Sequence, residues 1–113
     1  MELRLQPLRI PSGWQVTHND GLWEVDPDEE RVADEDRLWI FKEDLLQMVH
    51  PQSHRLLDVG WYPEGNLAEG RYRLVIYEGD FRGRLLHQFE TRARLLLVVE
   101  LERLMADVRD RKL

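Results

Sequence analysis

The sequence predicts an α+β fold: an antiparallel β-meander sheet of about five to seven strands with one C-terminal helix packed on one face. Two observations carry that expectation. Between residues 54 and 92, three strand-like runs are separated by glycine-containing turns. After them, Leu97, Leu101, Leu104 and Val108 fall within about 60° of one another at roughly 100° per residue, the apolar stripe of a helix that faces a core. Strands gathered in sequence and followed by a helix imply an α+β arrangement rather than alternating βα units. At 113 residues, with 42% hydrophobic and 34% charged side chains, the chain is expected to form a single domain over 1–113. Its strands are expected within 1–89 and its helix at about 91–109.

Taken in order, residues 2–10 alternate Leu3 and Leu5 against Glu2, Arg4 and Gln6, a half-buried strand pattern that Pro7 restricts to an edge or an early bend. Pro11, Ser12 and Gly13 make a turn. Residues 14–17 and 22–25 are expected to pair as a short hairpin about Asn19, Asp20 and Gly21, because Asp-Gly suits a tight primed turn. Residues 26–36 form a polar loop. Residues 38–49 begin with Leu-Trp-Ile-Phe, too aromatic and branched for a preferred helix start, and are expected to be one long strand ending before Pro51. In the meander, Leu57, Val59 and Trp61 share one face of a strand over 55–62. Tyr72, Leu74 and Ile76 share one face of the next, with Arg71, Arg73, Val75 and Tyr77 opposite. A last strand covers 85–89. Thr91 is then placed to cap the helix, and Arg109, Arg111 and Lys112 suit its negative C-terminal end. The helix carries a second apolar face in Leu95, Val99 and Ala106, one more than packing on a sheet requires.

Charge narrows the function classes. The net charge is −6, and the acidity belongs to the first half: residues 1–50 carry 12 acidic and 5 basic side chains, residues 51–113 carry 10 and 11. Phosphate neutralisation needs a concentrated basic surface, so nucleic-acid binding is not expected. A basic protein partner matches better. The absence of cysteine rules out disulfides, thiolate metal sites and a cysteine nucleophile, and it fits a reducing compartment. The first residues lack an apolar signal-peptide region, and the longest apolar run, 95–99, is far too short to span a bilayer. A cytoplasmic protein without membrane contact is expected.

No catalytic constellation is apparent. His18, His50, His54 and His87 lack metal-site spacing, apart from His50 and His54 across a turn, and no metal or cofactor is expected. Ser12 and Ser53 sit in no nucleophile motif. Gly60, Gly65 and Gly70 precede no helix N-terminus and make no phosphate cradle. Asp58, in an otherwise apolar strand, is the one carboxylate with an unusual environment. Either it bonds an arginine such as Arg73 or a polar group of a neighbouring strand, or it centres a small-ligand or catalytic site.

Binding features stand out more. Asp26, Asp28, Glu29, Glu30, Asp34, Glu35 and Asp36 put seven carboxylates within eleven residues. The segment lacks the glycine of a calcium loop. It is either a solvated loop or an acidic patch that steers a basic partner. Of four tryptophans, Trp39 and Trp61 lie mid-strand and are expected in the core. Trp14 and Trp23 lie beside turns and are candidate binding anchors.

Trp61-Tyr62-Pro63-Glu64-Gly65, the strand Tyr72-Arg73-Leu74-Val75, and Phe89-Glu90-Thr91-Arg92 leading into a terminal amphipathic helix resemble small bacterial immunity proteins, the inhibitors encoded beside contact-dependent or polymorphic toxins. The likeness covers residues 38–108 and transfers no inhibitory residue. It implies a non-enzymatic cytoplasmic protein that binds a toxin domain. The acidic 26–36 loop with Trp14 and Trp23 is then the expected partner surface. The alternative is a structural or regulatory homo-oligomer, a homodimer burying Leu95 and Val99 across a two-fold. A third reading is a site built on Asp58.

Overall fold

The computed structural model of the chain describes residues 2–113. Five antiparallel strands follow one another across a single sheet: β1 (Gln15–Asn19), β2 (Leu46–His50), β3 (Arg55–Tyr62), β4 (Arg71–Glu78) and β5 (Leu85–Thr91). A one-turn helix, α1 (Arg37–Ile40), precedes β2, and the long helix α2 (Arg94–Arg109) closes the chain. This is the α+β meander with a terminal helix that the sequence predicts.

Strand alternation separates two unlike faces. Leu46 and Met48, Leu57, Val59 and Trp61, and Tyr72, Leu74 and Ile76 are buried on the first. Against them α2 turns Leu97, Leu101, Leu104 and Val108, joined by Met105. An aromatic cluster seals one end of this core. The Trp61 ring lies 5.0 Å from Phe41 and 4.9 Å from Tyr72, edge to face with the latter. Its indole N–H donates to the Asn66 carbonyl at 3.1 Å, and a side chain at Gly70 would collide with that indole. Arg92 donates to the carbonyls of Leu67 and Gly70, tying the start of α2 to the same loop. The second face carries Gln47, Val49, Leu56, Asp58, Tyr62, Arg73, Val75 and Tyr77, and among the described residues no helix lies across it.

Several local expectations are corrected. Residues 38–49 are not one strand: α1 ends at Ile40, and pairing starts only at Leu46. Ile40 and Phe41 are buried beneath Trp61 and Tyr72, and that packing overrides the β-preference of Leu-Trp-Ile-Phe. Residues 2–10 supply only an isolated bridge, Leu5 to Trp23, with Gln6 and Arg4 bonded to Leu22 and Glu24. The expected hairpin between 14–17 and 22–25 does not form. The Asn19 side chain accepts from the Leu22 N–H at 3.4 Å, Gly21 adopts φ +123°, and the chain leaves the sheet, so β1 pairs with β2 instead. Thr91 is the last residue of β5, not the helix cap. Its hydroxyl accepts from the Ala93 N–H at 3.0 Å, and α2 begins at Arg94 with no side-chain cap.

Candidate functional site

The acidic segment and its tryptophans are sorted by the fold into structural and free groups. Four of its carboxylates are engaged. Asp26 meets Arg94 at 3.0 Å, Asp28 accepts from the Glu30 N–H at 2.9 Å, Asp34 pairs with Arg37 at 3.0 Å, and Asp36 accepts from the Trp39 indole at 3.0 Å. Glu29, Glu30 and Glu35 are exposed and have no side-chain partner among the described residues. The free charge of the loop therefore resides in these three glutamates.

Trp14 is not an anchor. It is 7% exposed, its indole N–H donates to the Met105 carbonyl at 3.0 Å, and His50 meets its ring edge-on. Trp39, expected in the core, is 48% exposed instead. A one-turn helix points consecutive side chains around its axis, so burying Ile40 and Phe41 turns Leu38 and Trp39 outward. Trp39 packs edge-to-face on half-buried Trp23, ring centres 6.3 Å apart, and exposed Leu38 lies over Gly65. The result is an apolar surface of Trp23, Leu38 and Trp39 rimmed by Asp34, Glu35 and Asp36. Sequence reasoning missed Leu38 and Trp39. The available signal was an apolar quartet directly after the acidic run, which cannot be buried on all sides of so short a helix.

A second site lies on the uncovered sheet face. His18, Gln47 and Asp58 stand in one row, opposite each other on β1, β2 and β3. Asp58 does not pair with Arg73, one partner the sequence offers. The other, a polar group of a neighbouring strand, is Gln47 of β2, which favours its ionised form. Arg73 meets Glu90 at 3.4 Å and lies 4.4 Å over the Tyr62 ring, while Asp58 Oδ1 has no hydrogen-bond partner. Burial, reinforced by the nearby Asp44 carboxylate and opposed by the Gln47 amide, pushes the Asp58 pKa up to about 6. Tyr62 is likewise raised, by burial first and then by Asp58 and Glu43.

The remaining candidates stay apart from both sites. Leu95 and Val99 are 65% and 64% exposed, joined by Leu96 at 58%, so the second apolar face of α2 is open. His50 is buried beside Trp14, and His54 is exposed in a left-handed turn at φ 54°. Among the described residues no group of three His, Cys, Asp or Glu side chains could hold a metal. A cleft of about 270 Å³ is lined by Gln52, Ser53, Arg55, Arg111 and Leu113. No helix among the described residues is long and apolar enough to cross a membrane. Comparison with known proteins finds no matching family model, no matching curated protein and no matching solved structure.

Proposed function

We propose that this chain is a non-enzymatic protein-binding module of the immunity type, which binds and neutralises a cognate bacterial toxin domain. The observation that carries the binding reading is the exposed Trp39, packed edge-to-face on Trp23 and next to Leu38, at the edge of a loop whose Glu29, Glu30 and Glu35 have no side-chain partner among the described residues. Tryptophan concentrates binding energy at protein interfaces, and a rim of one sign selects a partner of the opposite sign and speeds encounter. The toxin as partner rests on the resemblance of residues 38–108 to immunity proteins.

The test is co-expression with the toxin domain encoded beside this chain, read by growth rescue and by affinity of the purified pair. Trp39→Ala should weaken the complex by about 2 kcal/mol or more, as hot-spot truncations do. The triple change Glu29→Lys, Glu30→Lys and Glu35→Lys should slow association and flatten its salt dependence. Wild-type rescue and affinity in both variants would remove this surface from the function. A second reading, homo-oligomerisation, is favoured by the open stripe of Leu95, Leu96 and Val99 on α2.

A further inference from the structure

The sheet face opposite α2 holds polar groups whose bonding needs the fold leaves unmet. Neighbouring strands lie about 4.8 Å apart, so the row from His18 through Gln47 to Asp58 spans about 10 Å. Asp58 is only 8% exposed, beside Leu56 at 8% and Val75 at 6%. Its Oδ1 accepts no hydrogen bond, and the enclosed His18 Nε2 also lacks a partner. A carboxylate so enclosed is ordinarily paired with a cation or with donors, because leaving it unpaired is costly.

Among the described residues the fold brings no arginine or lysine to it: only the Gln47 amide and the His18 ring favour its ionised form. Arg73, next along the face, is held by Glu90 and by the Tyr62 ring. Asp44 adds a second negative charge near Asp58, and Glu43 a third near Tyr62. Gly60, between Asp58 and Tyr62 on β3, admits the Glu43 carbonyl where any side chain would collide with it. This brings the backbone that bears Glu43 and Asp44 against the face. The site thus combines a buried acceptor, apolar neighbours, two further carboxylates and an aromatic ring.

We infer that Asp58, with His18, Gln47 and Tyr62 around it, is the receptor for an arginine side chain of a basic protein partner docking on this face. Charge complementarity selects a cation. A guanidinium suits it best, since its planar fork bonds a carboxylate while its face lies on an aromatic ring. Arg73 already covers one face of the Tyr62 ring, which leaves the fork to Asp58 as the principal contact of a partner's guanidinium. This surface is distinct from the Trp23–Trp39 patch and does not depend on it.

The test uses the full chain and N-acetyl-arginine amide as probe, followed by NMR of the Asp58 carboxyl, the His18 ring and the Tyr62 ring. Saturable shifts at these three groups are expected, with the apparent pKa of Asp58 falling toward the ordinary value of about 4 as the cation binds. The groups bearing on Asp58 in that titration are Asp44, Gln47, His18 and Tyr62, with Arg73 next along the face on β4. N-acetyl-citrulline amide, of the same shape but neutral, should leave them unmoved. Asp58→Asn, which keeps side-chain size, should weaken the probe about tenfold or more. Asp44→Asn should weaken it less, with Asp58 intact. Shifts at Trp39 in place of Asp58, equal response to citrulline, undiminished binding by Asp58→Asn, or no response up to tens of millimolar would each overturn the inference. Tighter binding of free arginine than of the blocked amide would mark a small-molecule site and overturn docking.

Discussion

Asp58 lowers the stability of its own fold at neutral pH, and the direction follows from its pKa. The folded state holds the Asp58 proton up to about pH 6, against an ordinary value of 3.8, so the folded form binds the proton more tightly than the unfolded one. Stability is therefore unpenalised below the ordinary value, falls as pH rises through that interval, and carries the full penalty above pH 6. Asp58→Asn removes the charge. It should stabilise the protein at pH 7 by about 3 kcal/mol, given about 1.4 kcal/mol per pKa unit, and the gain should vanish near pH 4. Chemical denaturation at both pH values checks this, and equal stability of the two proteins at pH 7 would show Asp58 to be unperturbed. Its strained environment was visible in the sequence as a lone acid in an apolar strand. Its partners were not, because His18 and Gln47 become neighbours only through pairing of β1, β2 and β3.

The two faces of α2 illustrate what a helical pattern can and cannot reveal. The stripe of Leu97, Leu101, Leu104 and Val108 was readable from spacing alone, and it is the buried one. Leu101→Ala should cost about 2–5 kcal/mol by opening a cavity against the sheet. Leu95→Ala, on the open side, should change monomer stability by less than about 0.5 kcal/mol. Thermal melts of the two variants separate the faces, and equal losses would mean that Leu95 is also covered. The start of α2 was less readable. Thr91 has the chemistry of a cap, but β5 keeps it in the sheet through pairing with Tyr72, so its hydroxyl serves the turn before the helix. At α1 the same competition ran the other way. Leu-Trp-Ile-Phe favours a strand locally, but burial of Ile40 and Phe41 makes it a helical turn.

At the level of the whole molecule, three surfaces carry no helix of the fold: the Trp23–Trp39 patch, the sheet face of Asp58 and the stripe of Leu95, Leu96 and Val99. The last is the one suited to a second copy. If the protein is a homodimer through α2, sedimentation should show a concentration-dependent dimer that Leu95→Glu with Val99→Glu dissociates. A monomer at every concentration would end that reading.

Composition and periodicity alone carried the α+β class, the meander from β3 to β5 and the buried stripe of α2, because these depend on side-chain alternation and turn residues close in sequence. Tertiary packing decided the rest. It buried Trp14 against Met105, turned Trp39 outward, paired Asp26 with Arg94 and aligned His18, Gln47 and Asp58. Each of those outcomes depends on contacts between residues far apart in the chain, and local pattern does not encode which distant partner wins.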